Sequence, residues 1–120
     1  MDLTIFPKEG YVLAAVTGRI DDSADRLFRE HLFSLLAQSS TNVVLDLSQA
    51  KLMSSHGIGH LVSLAAHANT NSSRVILAAC SPFVAIVLTR CKLDGFFEMA
   101  ESVEAAVRRI RGEQKSPPTL

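Results

Sequence analysis

The stretch VVLDLSQAKLMSSHGIGHLVSL, residues 43–64, contains the transition that decides the fold. Its first part, residues 43–47, is a nearly unbroken run of β-branched residues and leucine, a pattern typical of a strand covered on both faces of a sheet. A run of small residues follows, and from Ile58 to Ala68 the apolar residues recur at helical spacing. The stretch therefore predicts a buried strand, a tight turn and an amphipathic helix.

The rest of the chain repeats this alternation. Two β-rich runs, 3–6 and 11–16, flank a turn that contains Pro7 and Gly10, and they predict a hairpin. Further strands are predicted at 75–80 and 96–99, with helices at 24–36, after Ser81 and after Ser102. Strands that alternate with helices of about ten to fifteen residues favour parallel pairing. We therefore predict an α/β fold with a mixed, mostly parallel sheet flanked by helices, in the order β-β-α-β-α-β-α-β-α.

Composition limits the function classes. The chain has 120 residues, of which 48% are hydrophobic, and its 12 basic residues equal its 12 acidic ones. Nucleic-acid binding is driven largely by excess basic charge, so we predict no nucleic-acid partner. The longest apolar stretches fall far short of the roughly 20 residues that span a bilayer, and the N-terminus does not resemble a signal peptide. We expect a soluble cytoplasmic protein without a membrane partner, with one domain at residues 2–111 and a disordered tail at 112–120.

The two cysteines predict neither a metal site nor a disulfide framework. Cys80 and Cys91 lack the spacing of metal motifs, and each stands among apolar residues. We interpret them as buried thiols in a reducing compartment.

Three histidines form a stripe on the helix that starts near residue 55. His56, His60 and His67 fall within roughly 40° of one another around the helix axis, opposite the apolar residues. A four-residue histidine pair is a spacing that zinc sites use, but no carboxylate or cysteine shares the stripe in the sequence. We predict a solvated polar face and no metal; a weak fortuitous metal site and a contact with a partner are the alternatives.

Motifs for catalysis and cofactor binding are incomplete. No Gly-x-Ser-x-Gly elbow is present, and Gly57 with Gly59 lacks the third glycine of a dinucleotide fingerprint. We interpret these glycines as permitting close helix–sheet approach, and we predict no enzymatic activity and no cofactor. Ser54 and Ser55 precede the helix, where a hydroxyl can cap free N–H groups and where a phosphate is tolerated.

The sequence resembles the STAS domain, best known from bacterial anti-sigma factor antagonists. The resemblance rests on residues 43–64 together with RVILAACSPFVAIVLTRCKLDGFFEMAESVEAAV, residues 74–107, in the predicted order of elements. It implies a non-enzymatic module that binds an anti-sigma factor of the serine-kinase type, which phosphorylates a serine at the junction and is then released. The alternative within this resemblance is a small-ligand or nucleotide sensor, or a subunit of a transporter complex.

The junction departs from the family pattern Asp-Ser-Ser-Gly, in which the acceptor directly precedes the glycine. Ser54 stands where the aspartate is expected, Ser55 where the first serine is, and His56 where the acceptor is. The switch has therefore moved to Ser55 or Ser54, has been lost, or involves His56 itself. We expect Ser55 to be the best remaining acceptor. The predicted partner-binding residues are Met53, Ser54, Ser55, His56, Gly57, Ile58, Gly59 and His60.

Overall fold

Five strands form one sheet whose spatial order follows the chain, β1-β2-β3-β4-β5. The computed structural model describes residues 1–38 and 40–112. The strands are β1 Asp2–Lys8, β2 Tyr11–Ile20, β3 Asn42–Met53, β4 Arg74–Ala78 and β5 Glu98–Ala100. β1 pairs with β2 antiparallel, and every later pair is parallel. The predicted α/β class and mixed, mostly parallel sheet are confirmed.

Within residues 1–38 and 40–112, five α-helices connect and cover these strands. They are α1 Ser23–Phe28, α2 Ser34–Leu36, α3 Ser55–Thr70, α4 Pro82–Arg90 and α5 Val103–Gly112. A π-helical segment, Arg29–Phe33, joins α1 to α2 without a break, since the residues at both boundaries keep right-handed helical angles. The tail predicted at 112–120 lies, from residue 113 onward, outside the described residues.

The helices form two unequal layers. Side chains of α1 to α4 pack with one face of β2 and β3 in the larger core, where Phe28, Leu45 and Leu61 are fully or almost fully buried. On the other face, Ala106 and Ile110 of α5 pack on Val44 and Ile76 in a smaller core. Alternate residues of one strand point to opposite faces, so β3 contributes to both cores.

β3 is longer than its apolar run predicts. The prediction ended this strand near Leu47, whereas it continues to Met53 by pairing with residues 17–20 of β2. That pairing includes two register shifts, between Ala15 and Thr17 and between Gly18 and Arg19 of β2, and at each of them β3 contributes one extra residue. Gly18 has a φ of +88°. The extra residues in β3 interrupt the alternation of buried and exposed side chains, so residues 48–51 show no strand pattern in the sequence.

Two further predictions need correction. Phe96 and Phe97 precede β5 rather than forming it; they lie in a turn, where their rings meet edge to face and Phe97 is buried.

The cysteines are not both buried, because Cys91 follows the end of α4 and is exposed. Cys80 is half-buried, and burial raises the pKa of its thiol.

Candidate functional site: the β3–α3 junction

Ser54 joins β3 to α3 and caps the helix. Its backbone is extended, with φ −82° and ψ 168°, and its hydroxyl accepts a hydrogen bond from the Gly57 amide at 3.1 Å. The Ser54 amide donates to the Ile20 carbonyl at 2.9 Å, and the Ser54 hydroxyl lies 3.4 Å from the same carbonyl. One residue therefore ends the strand, starts the helix and ties both to the end of β2.

Gly57 is required by the close approach of α3 to β2. A Cβ atom at this position would lie 2.0 Å from the Ile20 carbonyl oxygen, whereas one at Gly59 would meet nothing within 4 Å. The prediction that these glycines permit close helix–sheet approach is thus confirmed for Gly57 and wrong for Gly59. The junction is therefore held by the hydrogen bond from the Ser54 amide to the Ile20 carbonyl, and the Gly57 backbone packs closely against the same carbonyl.

The predicted partner-binding residues differ in exposure. Ser55, His56 and Gly59 are exposed, while Ser54, Ile58 and His60 are partly buried. Met53 is only 5% exposed and belongs to the larger core, because it pairs with Ile20 inside the sheet. Gly57 is buried as well. The surface available at the junction is therefore smaller than predicted and excludes the Met53 side chain.

Two histidines of the stripe, His56 and His60, lie beside acidic residues at the start of α1. The Nδ1 atom of His56 lies 3.2 Å from the Asp22 carboxylate, and the Nε2 atom of His60 lies 3.4 Å from it. The Nδ1 atom of His60 is also 3.7 Å from Asp25. The predicted solvated face is therefore confirmed for His56, whose side chain is 76% exposed, and wrong for His60, whose side chain is only 26% exposed.

His67 takes no part in this cluster. Its ring stacks on Phe33 at a centroid distance of 4.3 Å, and its Nε2 atom lies 3.1 Å from the Phe33 carbonyl oxygen. It is half-buried and joins α3 to the π-helical segment. His67 therefore has a packing role, and the two ends of the stripe have different structural surroundings.

Asp21 fixes the turn that presents Asp22 to the histidines. The Asp21 carboxylate accepts hydrogen bonds from the Ser23 amide at 3.0 Å and from the Ser23 hydroxyl at 2.6 Å. These bonds, the hydroxyl bond first, lower the pKa of Asp21. Asp22 occupies the N-cap position of α1 without making a side-chain capping bond. The Asp22 carboxylate is therefore available to His56 and His60.

Asp22 was not among the site residues predicted from the sequence. Asp22 is separated from His56 by 34 positions, and only the packing of α1 against α3 brings them together. The sequence did offer one signal: Asp22 directly precedes α1, just as the junction directly precedes α3. Within the part of the chain that the structure describes, no group of three or more His, Cys, Asp or Glu residues is arranged to hold a metal ion.

Comparison with known proteins identifies the family. Residues 7–106 match the family model described as the STAS domain. The chain belongs to the STAS domain family. A STAS-domain containing protein of Pseudomonas aeruginosa (strain UCBPP-PA14) is 29% identical over 85 residues, which are 71% of this chain and 83% of that protein.

Solved structures share the fold of this STAS domain. The anti-sigma factor antagonist SpoIIAA in its unphosphorylated form superposes with a TM-score of 0.76 at 22% identity, over 92% of this chain and 97% of SpoIIAA. RsbS of Moorella thermoacetica gives a TM-score of 0.79 at 19% identity, over 97% of this chain and 100% of RsbS. The STAS domain thus has an anti-sigma factor antagonist-like fold. Among its described helices, none has the length and apolar character needed to cross a bilayer.

Proposed function

We propose that this STAS domain is a non-enzymatic regulatory module that binds a kinase-type anti-sigma factor through the start of α3. The observation that carries the proposal is an exposed tip, Ser55, His56 and Gly59, on a backbone held rigidly by Ser54 and Gly57. Preorganisation of this kind lowers the entropic cost of binding. The similarity in fold to SpoIIAA, described as an anti-sigma factor antagonist, supports the choice of partner class.

Gly59 offers a direct test of the surface. It is exposed, with open space around its Cα, so Gly59→Arg adds a bulky charged side chain to the tip without disturbing the core. We expect this variant to bind the cognate kinase-type anti-sigma factor at least about tenfold more weakly in isothermal titration calorimetry. Gly95→Arg is the matched control, because Gly95 also has nothing within 4 Å and precedes β5, away from the junction. Equal weakening by both variants, or by neither, would contradict the proposed surface.

We further propose that Ser55 is the phosphorylation site. The Ser55 side chain is exposed and makes no hydrogen bond to any described residue, whereas the Ser54 hydroxyl is engaged as the helix cap. A phosphate on Ser55 would lie in the first turn of α3, where free N–H groups and the helix dipole favour negative charge. It would also add a dianion to the tip and so weaken a partner interface there.

Incubation with the cognate kinase and ATP, followed by mass spectrometry, tests this site. We expect phosphate on Ser55, its loss in Ser55→Ala and its retention in Ser54→Ala. Phosphate on His56 or Ser54, or none on the wild-type protein, would overturn the assignment while leaving the Gly59→Arg binding test intact.

A further inference from the structure

The face of the sheet that carries α5 is only partly covered. α5 packs mainly on β3, β4 and β5, which leaves the β1–β2 hairpin at one side of the helix. Phe6 pairs with Leu13 and Lys8 pairs with Tyr11 across this hairpin. Directly paired residues point to the same face, and Leu13 and Tyr11 pack against the core beneath α5, so all four side chains lie on the α5 face.

A cleft of about 480 Å³ runs between the hairpin and α5. Its apolar floor comes from Tyr11 and Leu13 on β2 and from Val103 and Val107 on α5. Phe6, which is 43% exposed, extends this floor along β1. The volume is within the range of about 300–1,000 Å³ that small-molecule sites occupy, and the mixture of an apolar floor with a few polar groups is also typical of them.

The rim of the cleft is basic. Lys8 and Arg108 line it, and neither makes an ion pair with any carboxylate in the described residues. The Lys8 ammonium lies 5.9 Å from the Phe6 ring centroid, and Arg111 lies 5.6 Å from that of Tyr11. The lining contains one carboxylate, Glu104, so positive charge is in excess. By contrast, Arg109 on the same helix is paired with Glu98.

We propose that this cleft binds a small amphipathic anion, a molecule with one unbranched alkyl chain and a carboxylate or phosphate head group. The chain lies along Phe6 and Leu13, and the head group meets Lys8 and Arg108. From Lys8 to Thr4 the hairpin offers a strip of roughly 13 Å, at about 3.3 Å per residue, which suits a medium-length chain. Lys8 and Arg108, which form no ion pair within the described part of the chain, select an anion over a neutral or cationic amphiphile.

The site is separate from the junction. The histidine cluster and the start of α3 belong to the side of the sheet covered by α1 and α3, whereas the cleft lies beside α5 on the other side. Ligand binding is therefore expected to leave the exposed tip free, and the two proposals can fail independently.

Titration with decanoate below its micelle concentration tests the proposal by two-dimensional amide NMR. We expect saturable shifts at Phe6, Leu13 and Val107 and none at Ser55 or Phe83. Acetate, which has the head group alone, and octyl glucoside, which has a chain with a neutral head, should each bind at least about tenfold more weakly. Equal binding of octyl glucoside, or shifts centred on Phe83 and Ile86, two exposed apolar residues of α4, would overturn the assignment.

Variants that remove the cleft's positive charges, together with lipid vesicles, test the proposed ligand class further. Lys8→Gln combined with Arg108→Gln should weaken decanoate binding at least about tenfold and leave octyl glucoside binding unchanged. Lys51→Gln combined with Arg90→Gln is the matched control, since both positions are exposed and lie outside the cleft. Unchanged decanoate affinity in the first variant would overturn the proposal. So would binding to phosphatidylglycerol vesicles without binding to free decanoate, which would assign the surface to a membrane.

Discussion

At the scale of single residues, substitution of Gly57 is expected to reduce the stability of the fold strongly. In Gly57→Ala the new methyl group would lie 2.0 Å from the Ile20 carbonyl oxygen, a backbone atom, so α3 must move away from β2. We expect a loss of at least about 2 kcal/mol in the free energy of unfolding, measured with urea. Gly59→Ala is the control: nothing opposes its methyl group, and alanine favours a helix interior, so a gain of about 0.5–1 kcal/mol is expected. A Gly57→Ala variant as stable as the wild type would contradict this account of the junction.

The two serines of the junction should differ in the same assay. Ser54→Ala removes the hydroxyl that accepts from the Gly57 amide, so a loss of about 1 kcal/mol in the free energy of unfolding is expected. Ser55→Ala removes a side chain with no hydrogen bond to a described residue and should change stability by less than about 0.5 kcal/mol. The reverse ranking would mean that Ser55 is the structural cap.

The sequence predicted the roles of single residues correctly where a role depends on neighbouring positions in the chain. A serine before a helix, and a glycine close to it, are short-range patterns, and Ser54 and Gly57 fulfil them. The pairing of His56 with Asp22 is a tertiary contact between two helix starts, and no spacing within α3 could reveal it. The burial of Met53 was missed for a related reason, since the strand was predicted to end before it.

At the scale of elements, Glu98 links β4, β5 and α5. Its carboxylate accepts two hydrogen bonds from Arg74, at 2.7 and 2.6 Å, and one from Arg109 at 3.2 Å. These guanidinium groups, Arg74 first, lower the pKa of Glu98 below its ordinary value of 4.5 despite partial burial. The side chain is 29% exposed, so solvent screens the cluster only in part.

The pH dependence of stability follows from that lowered pKa. A carboxyl group whose pKa is lower in the folded state stabilises the fold above the unfolded pKa, and this contribution is lost as pH falls through the folded pKa. Glu98→Gln should therefore be less stable than the wild type at pH 7, by about 1 kcal/mol, in thermal or urea unfolding. The difference should shrink as pH falls from 4.5 towards 2. A difference that stays constant over this range would show that charge on Glu98 does not matter.

The sequence predicted correctly which segments form strands and which form helices, but it predicted their lengths less well. The alternation of strands and helices is encoded in local periodicity, and every predicted element is present. The far end of β3 was missed because residues 48–53 pair with the end of β2 across register shifts, which remove the regular alternation that identifies a strand in the sequence. The π-helical segment was also missed, since Arg29–Phe33 continues the apolar spacing of an ordinary helix.

At the scale of the whole molecule, the two proposed sites should act independently. The tip at the start of α3 and the cleft beside α5 use different faces of the sheet and share no residue. The Gly59→Arg variant should therefore bind decanoate with wild-type affinity while it loses the protein partner. The double Lys8→Gln, Arg108→Gln variant should show the opposite behaviour. Strong coupling in calorimetry, above about 0.5 kcal/mol, would mean that the sheet transmits one binding event to the other.

The agreement between chain order and strand order has a consequence for biosynthesis. Each strand lies beside the one that precedes it in the chain, so no later strand has to insert between two earlier ones. As the polypeptide leaves the ribosome, the β1–β2 hairpin can form first and offer one edge on which β3, β4 and β5 are laid down in turn. At every stage the unpaired edges are those of β1 and of the most recently added strand, and only the latter has to accept the next strand of the chain.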